Sequence, residues 1–299
     1  MANLPTVGIV GTGSMGRPVA GRVLEGGYRL RLHDARPEAV RELTSRGATA
    51  RPDPEALAED CDVVLLCLPS HVEVAEVCFG ERGVLKSLRR GGVLVNLTTG
   101  SVRQLPRLAE TERSHGIHYV TAPVSQGVDN AELGRLSTFV GGTEQAYQLA
   151  LPVLTTFCTD VFYLRDHLAA MAAKLVTNLS GYVNAALLPE LLALSVRAGI
   201  PLQDVQAVLS SSCGDSWVVR HDVPSVLKGT YDPTFTLGLA VKDLRLIGEL
   251  SELLDIPIEV GTVAHNAFRR ARLLYGSDAP ELSPVRFVEQ LTGVQLHCE

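Results

Sequence analysis

A glycine-rich segment near the start of the chain constrains the fold more than any other feature of the sequence. Gly11–Gly16 reads G-T-G-S-M-G; it follows the apolar run Thr6–Val10 and precedes a helical pattern over Arg17–Glu25. In a strand–turn–helix unit, such glycines permit a tight turn, close approach of a pyrophosphate to the backbone, and close packing of the helix on the strand. The segment therefore predicts a Rossmann-type dinucleotide-binding unit.

An acidic residue at the end of the next predicted strand supports this prediction. Asp34 lies 23 residues after Gly11 and directly follows the predicted strand Arg29–His33. A carboxylate at that position accepts hydrogen bonds from ribose hydroxyls and repels a 2′-phosphate, so we expect NAD to be preferred over NADP. Arg36 could instead pair with a 2′-phosphate, which keeps NADP as an alternative. The predicted cofactor contacts of this region are Gly11, Thr12, Gly13, Ser14, Met15, Gly16, Asp34, Ala35 and Arg36.

Strands and helices alternate through the first half of the chain. Strands are predicted at Thr6–Val10, Arg29–His33, Val63–Leu68, Val93–Leu97, His118–Ala122 and Ser137–Gly141. Helical patterns lie between them, among them Val102–His115. This alternation predicts a doubly wound parallel sheet. Ligands of such sheets bind beyond the carboxyl ends of the strands, so Leu68, Pro69 and Thr99 are further candidate cofactor contacts.

Helical periodicity dominates after about residue 160. The longest pattern spans Leu168–Ala198 and ends at Gly199 and Pro201, a common stop signal. We therefore predict an α/β N-terminal domain with a Rossmann-type sheet at residues 1–163 and an all-α C-terminal domain at residues 164–299. A long interdomain helix is expected to join them.

Composition and charge narrow the classes of function. A net charge of −6 and a pI near 5.8 argue against nucleic acid as a partner. The N-terminus lacks a signal-peptide pattern, and Lys174 and Glu190 interrupt the longest apolar stretch, so we expect a soluble cytoplasmic protein without a membrane partner. The six cysteines form no C-x-x-C pair and the histidines lack zinc-site spacing, so we expect no metal.

Several short motifs occur in one order along the chain. They are the glycine segment, Leu68-Pro69, Ala122-Pro123-Val124-Ser125, Lys174 with Asn178, and Lys242-Asp243. In this order they resemble the β-hydroxyacid dehydrogenases, a family that includes 3-hydroxyisobutyrate dehydrogenase, tartronate semialdehyde reductase and, more distantly, 6-phosphogluconate dehydrogenase. The resemblance implies hydride transfer between a nicotinamide and a small hydroxyacid or semialdehyde. It also implies a homodimer or homotetramer built through the helical domain.

The resemblance implies roles for individual residues. Lys174 matches the family's catalytic lysine, which gives a proton to the substrate oxygen during reduction or helps remove one during oxidation. Asn178, four residues later on the same helix face, matches a substrate contact. Lys242 matches a lysine near the cofactor, and we expect the neighbouring Asp243 to be structural. The other substrate contacts implied are Ser125, Gln126 and Gly127.

The sequence departs from the family pattern near the expected substrate site. The family usually has glycines before its lysine, where this chain has Arg165, Leu168 and Ala170. Gln126 replaces another glycine, and Asn96 stands where an aspartate is usual. Two interpretations stay open: Arg165 or Gln126 reads an extra polar or anionic group, or the end of the helix has drifted without consequence.

Two other functions remain as alternatives. Imine reductases share the expected architecture but generally have a different residue at the lysine position, so Lys174 counts against them. A cofactor-binding protein without catalysis would agree with the altered glycines before Lys174. Turnover of an aldehyde acid, of an imine, or of no substrate separates the three.

Overall fold

Two compact units make up the protein. A computed structural model describes residues 4–298, and the chain divides into unit 1, Met1–Lys174, and unit 2, Leu175–Glu299. Unit 1 contains the sheet and most of the shorter helices, whereas the elements of unit 2 are helical. The division falls inside one long helix, which belongs to both units.

Unit 1 is built on a nine-stranded sheet. Its strands are β1 Thr6–Val10, β2 Arg29–His33, β3 Thr49–Ala50, β4 Val63–Leu66, β5 Val93–Asn96, β6 His118–Thr121, β7 Val124–Ser125, β8 Leu136–Gly141 and β9 Cys158–Arg165. The order across the sheet is β3-β2-β1-β4-β5-β6-β8, with β7 and β9 also paired to β8. The first six strands are parallel, with helical crossovers, and β1 lies beside both β2 and β4. This order confirms the Rossmann-type fold class.

The sheet is not parallel throughout, because β8 runs antiparallel to both β6 and β7. Only residues 126–135 separate β7 from β8, and they contain one short helix, Gly127–Glu132. A parallel return needs a crossover of a dozen or more residues, about the length of a full helix, whereas a shorter connection reverses the strand. Strand β9 then pairs parallel with β8 at the edge.

Helices cover both faces of the sheet. Alternate side chains of the central strands point to opposite faces, so each strand contributes to the core on both sides. Val63 and Leu65 of β4 pack in one core cluster, and Val64 and Leu66 pack in the other. The helices of unit 1 are α1 Gly16–Glu25, α2 Arg41–Ser45, α3 Pro54–Ala58, α4 His71–Phe79, α5 Leu105–Ala109, α6 Thr111–His115, α7 Gly127–Glu132 and α8 Glu144–Leu154. Such double cover explains why β4 is apolar at every position.

The predicted helix Val102–His115 is divided in the structure. A short 3-10 turn, Val102–Gln104, comes first, and α5 and α6 follow it. Pro106 lies in the first turn of α5. Proline has no N–H to donate to a preceding turn, so a continuous helix cannot run through it from Val102 without losing a hydrogen bond.

The helix α9, His167–Arg197, has 31 residues and contains Pro189. It matches the predicted Leu168–Ala198 within one residue at each end. By length and composition alone, α9 would be long and apolar enough to cross a membrane, but the core helix of a soluble protein satisfies the same criterion.

The remaining helices of unit 2 are α10 Leu202–Ser210, α11 Trp217–His221, α12 Val223–Leu227, α13 Leu237–Leu254, α14 Glu259–Tyr275 and α15 Pro284–Thr292. Tyr182 of α9 packs edge-on against Phe268 of α14, with ring centroids 5.3 Å apart. Both side chains are buried, so α9 forms part of the core of unit 2.

Candidate functional site

Backbone crowding at Gly11 and Gly16 fixes the glycine segment. Gly11 has a φ of +93°, and a Cβ there would overlap the carbonyl oxygen of Cys67. A Cβ at Gly16, the first residue of α1, would overlap the carbonyl oxygen of Gly11. The Gly11 N–H donates to the carbonyl of His33 over 2.9 Å. The turn between β1 and α1 is therefore packed directly on β2 and on the end of β4.

Gly13 differs from its two neighbours in the motif. An added Cβ at Gly13 would have no atom within 4 Å. Hence the fold itself does not require glycine at this position. Open space beside a backbone at the start of a helix is what a pyrophosphate needs, since the free N–H groups there attract anions. This geometry fits the dinucleotide predicted from the sequence.

Asp34 anchors the glycine segment to the end of β2. Its Oδ2 accepts the Thr12 N–H over 2.8 Å, and its Oδ1 accepts the Arg36 N–H over 2.9 Å. Burial alone would raise the pKa of Asp34, but these backbone hydrogen bonds and the nearby Arg36 guanidinium outweigh it, so the pKa lies below its ordinary value. The carboxylate stays charged at neutral pH and can accept ribose hydroxyls. The Arg36 Nε lies 3.7 Å from Asp34 Oδ1, with the Arg36 side chain 66 % exposed.

The loops after β4 and β5 meet beside the glycine segment. The Leu68 N–H donates to Thr98 Oγ1 over 3.0 Å, which joins the two loops. A Cβ at Gly11 would also lie 3.0 Å from the Leu68 side chain. The structure thus brings Leu68 close to the glycine segment at the carboxyl edge of the sheet. Pro69 is exposed and Thr99 half-buried in the same two loops.

Ser125, Gln126 and Gly127 form the turn between β7 and α7. Ser125 pairs with Ser137 of β8 and is half-buried, whereas Gln126 and Gly127 are exposed. Gln126 has a φ of +94°, in the left-handed region that glycine adopts most easily. Its backbone carbonyl accepts the side-chain amide of Asn130 over 2.9 Å. The backbone shape typical of glycine is therefore present here with a glutamine in place.

Arg165 also has a left-handed backbone conformation, at a different place in unit 1. It has a φ of +67° and pairs with Gly141, at the opposite end of β8 from the Ser125–Ser137 pair. Four residues along a strand span about 13 Å. The Arg165 guanidinium lies 5.5 Å from the ring centroid of Tyr163. Arg165 and Gln126 therefore occupy separate regions of unit 1.

The other two departures from the family's glycines lie inside α9. Ala170 is fully buried, and Leu168 is half-buried in the first turn. Neither has a positive φ. Lys174 follows one turn after Ala170 and is half-buried, and Asn178 follows one turn later.

Asp243, which we expected to be structural, is the centre of a buried polar cluster in unit 2. Its Oδ2 accepts Asn178 Nδ2 over 2.8 Å and the Tyr182 hydroxyl over 3.1 Å. Its Oδ1 lies 3.0 Å from Lys242 Nζ. Asp243 is 3 % exposed. Burial, and then the Asp243 carboxylate, raise the pKa of Tyr182 well above its ordinary value, so the hydroxyl remains a donor.

Sequence reasoning missed Asp243 and Tyr182 as partners of Asn178. Asn178 and Tyr182 are four residues apart on α9, so their common face was a local signal. The partner on α13 is 65 residues from Asn178, and no local pattern indicates that pairing. Within residues 4–298, no group of three or more His, Cys, Asp or Glu side chains is placed to hold a metal ion.

Comparisons with known proteins agree with this geometry. A family model described as the NAD-binding domain of 6-phosphogluconate dehydrogenase matches residues 6–164, more than half of the chain. A second, described as the NAD-binding domain of NADP-dependent 3-hydroxyisobutyrate dehydrogenase, matches residues 169–288.

Individual relatives resemble the chain over almost its full length. The 2-(hydroxymethyl)glutarate dehydrogenase of Eubacterium barkeri is 30 % identical, with 97 % of each chain covered. The crystal structure of 3-hydroxyisobutyrate dehydrogenase from Salmonella typhimurium superposes with a TM-score of 0.87 at 27 % identity, covering 95 % of this chain and 100 % of that one. An imine reductase from Pseudomonas sp. shares the fold, with a TM-score of 0.63 at 20 % identity over 96 % and 99 % of the two chains.

The protein uses a nicotinamide dinucleotide, because both family models describe domains that bind one and Gly13 and Asp34 provide matching geometry. With matches to both domains and near-complete coverage of its relatives, the chain belongs to the β-hydroxyacid dehydrogenase family of NAD(P)-dependent oxidoreductases.

Proposed function

We propose that this enzyme interconverts a small semialdehyde acid and the corresponding hydroxyacid, with Lys174 as the proton donor and acceptor at the substrate oxygen. The observation that carries the proposal is Lys174 on α9, one turn before an asparagine whose amide is fixed by a buried aspartate. Proton transfer to an alcohol oxygen needs a positioned acid or base, and Lys174 lies one helical turn from this fixed amide.

Reduction of an aldehyde needs a hydride at the carbonyl carbon and a proton at its oxygen. Bound nicotinamide supplies the hydride in this direction and accepts it in the other. The Lys174 ammonium donates the proton to the oxygen, and its neutral amine takes a proton back when the hydroxyacid is oxidised. No further group is needed to balance the reaction.

Asn178 is proposed to bind the substrate hydroxyl rather than its carboxylate. Since Asn178 Nδ2 donates to Asp243, the amide oxygen points away from that carboxylate. An amide oxygen is an acceptor only, so it suits a hydroxyl and would repel a carboxylate. The acid group is assigned to the Ser125 hydroxyl and the Gly127 N–H.

Gln126 is proposed to hydrogen-bond to a polar group at the far end of the substrate, beyond the acid. Its side chain is exposed next to Ser125, and an amide can donate to an anionic group or pair with a neutral one. Arg165 is not proposed for this role, because it lies at the other end of β8. We therefore propose that Gln126 alone, and not Arg165, contacts an extra polar or anionic group of the substrate.

We also propose roles for the residues predicted to contact the cofactor. Asp34 favours NAD over NADP through its charge, although the second family model names NADP. The roles assigned to the rest are contact with the phosphates for Thr12, Ser14 and Met15, with the adenosine ribose for Ala35 and Arg36, and with the nicotinamide half for Leu68, Pro69, Thr99 and Lys242.

The relatives support a soluble protein, and we propose that it acts in the cytoplasm as a homodimer or homotetramer. The two matched segments meet between residues 164 and 169, which supports a cofactor domain at residues 1–163 and a helical substrate domain at residues 164–299.

The test is oxidation of NADH and NADPH with a panel of short aldehyde acids, keto acids and cyclic imines, each run beside Lys174→Ala. The proposal expects turnover of an aldehyde or keto acid, faster with NADH, and its collapse in the variant. Turnover of imines alone would identify an imine reductase. If the protein binds the cofactor tightly but turns over nothing in the panel, larger hydroxyacids are tested next. No turnover of those either would indicate a protein that only binds the cofactor.

A further inference from the structure

The first turn of α9 packs directly against the end of the sheet in unit 1. A Cβ at Gly141, the last residue of β8, would lie 2.5 Å from the Asp166 carbonyl oxygen and 2.7 Å from His167 Cα. The Asp166 carboxylate accepts the Ala169 N–H over 2.9 Å and caps the helix. The start of α9 is thus in backbone contact with β8, with no room for a side chain between them.

A half-buried side chain fixes the helix at this place. His167 Nδ1 lies 3.0 Å from Thr121 Oγ1 at the end of β6, and the His167 ring packs on Tyr119 with centroids 5.1 Å apart. Thr121 and Tyr119 are both fully buried. The buried Thr121 hydroxyl cannot exchange this hydrogen bond for one to solvent, so losing it would be costly and it constrains the helix.

This contact is the end of a longer chain of hydrogen bonds. The Thr98 N–H donates to Asn96 Oδ1 over 3.0 Å, and Asn96 Nδ2 donates to the Tyr119 hydroxyl oxygen over 3.3 Å. The Tyr119 hydroxyl is also hydrogen-bonded to the Thr121 side chain. The Leu68 N–H, in the loop beside the glycine segment, donates to Thr98 Oγ1. The chain therefore runs from the cofactor loops to α9.

Asn96 orients one end of this chain, because its amide nitrogen donates to the Tyr119 hydroxyl oxygen. The direction of the bond between Thr121 Oγ1 and His167 Nδ1 follows from the His167 tautomer: Nδ1 accepts from the Thr121 hydroxyl when the ring is neutral with its proton on Nε2. Burial lowers the pKa of His167, and the carboxylates of Glu112 and Asp166 oppose this only in part, which agrees with a neutral ring.

Helix geometry connects His167 to Lys174. The two residues are seven positions apart, and seven residues turn an α-helix through about 700°, within about 20° of two full turns. They also lie about 10 Å apart along the axis. Lys174 therefore projects from the same side of α9 as His167, so any slip or rotation at His167 moves Lys174 with it.

We infer that His167 is a positioning residue: its hydrogen bond to the buried Thr121 hydroxyl sets the axial and rotational position of Lys174. Asn96 and Tyr119 support it, because they connect Thr121 by hydrogen bonds to the loop after β5. The inference rests on the proposed function, in which Lys174 transfers the proton.

The experiment compares Thr121→Val, which removes the hydroxyl but keeps the shape, with Thr121→Ser, which restores it. Because a misplacement of about 1 Å can cost about 100-fold in rate, we expect Thr121→Val to lower kcat by about 10- to 100-fold. We expect KM for the cofactor to stay unchanged and Thr121→Ser to recover most of kcat. Thr111→Val is the matched control, since Thr111 is equally buried and its hydroxyl donates to the Leu108 carbonyl in α5.

Two readouts do not depend on turnover. Hydrogen exchange at the amides of residues 171–174 should be faster in Thr121→Val than in Thr111→Val. In ¹⁵N-histidine spectra, His167 should show one fixed tautomer in the wild type and lose it in Thr121→Val. If kcat and exchange in α9 change no more than in Thr111→Val, the inference is wrong. If exchange and tautomer respond but Lys174→Ala keeps full activity, the positioning of α9 stands and the proposed function fails.

Discussion

The glycine segment at residues 11–16 and the turn at Gln126 both need unusual backbone shapes, yet only the first keeps its glycines. At Gly11 and Gly16, a Cβ would overlap carbonyl oxygens of the backbone. At Gln126 the φ of +94° is equally left-handed, but the residue is exposed and a side chain has room. Arg165, with a φ of +67°, is in the same situation as Gln126.

The difference separates two reasons for having a glycine. Where backbone atoms leave no space, no other residue fits, whatever its torsional preference. Where only the torsion angle is unfavourable, another residue costs about 1–2 kcal/mol and can be kept if it gains something. A glycine motif is therefore a firm prediction at crowded positions and a weaker one at open turns.

The largest effect is expected for Gly11→Ala. The added methyl meets the Cys67 carbonyl and the residue keeps a left-handed φ, so we expect a loss of about 3 kcal/mol or more of folding free energy. Thermal unfolding of the purified variant measures this loss. A melting temperature equal to that of the wild type would show that the turn can open, and the argument from crowding would be wrong.

Gly13→Ala should separate the demands of the fold from those of the cofactor. Its methyl meets no atom of the protein, so we expect a melting temperature close to that of the wild type without cofactor. Because the methyl fills the space assigned to the pyrophosphate, we expect NADH to bind about tenfold more weakly or worse. Fluorescence titration with NADH measures the affinity. Unchanged affinity would place the phosphates elsewhere.

Asp34→Asn tests the charge that anchors the same segment. The amide does not repel a 2′-phosphate, so we expect the NADH to NADPH ratio of kcat/KM to fall about tenfold. The pKa of Asp34 is lowered on folding, so its contribution to stability is present above about pH 4 and is lost as the pH falls through the folded-state pKa. The variant should lack this part of the acid dependence in urea unfolding. An unchanged cofactor ratio would contradict the role of Asp34 in selecting NAD.

The smallest effect is expected for Gln126→Gly and Arg165→Gly. Relief of the left-handed strain, about 1–2 kcal/mol, is partly offset by the flexibility of glycine in the unfolded chain, so each should be stabilised by about 0.5 kcal/mol. Urea unfolding measures both. Only Gln126→Gly should also change the preference between substrates with and without a polar end group, because Arg165 lies about 13 Å away along β8. Equal changes of preference in both variants would refute the assignment of Gln126.

Local features of this protein could be predicted from its sequence. Strands β1 and β2 begin and end at the predicted residues, and α9 is within one residue at each end. The strand β9, Cys158–Arg165, was missed because Phe162 and Leu164 are 51 % and 36 % exposed, so its apolar residues do not mark a buried face. The antiparallel direction of β8 depends on a short connection whose path no residue pattern specifies.

The site shows the same limit. The glycine segment and Asp34 lie within one βαβ unit, and their spacing in that strand–turn–helix context indicated a dinucleotide. Asp243 is 65 residues from Asn178, and His167 is 46 residues from Thr121. Hydrogen bonds across such distances depend on how the helices and strands pack, so they become visible only in the structure.

The central claim, that Lys174 transfers the proton, is tested most directly by single-turnover oxidation of bound NADH with Lys174→Met, which keeps an unbranched side chain one atom shorter and cannot donate. With NADH affinity measured separately, we expect that affinity to be unchanged and the hydride-transfer step to be slower by about 10²- to 10⁴-fold, as for loss of a general acid. A hydride-transfer rate equal to that of the wild type would contradict the account and remove Lys174 from the chemistry.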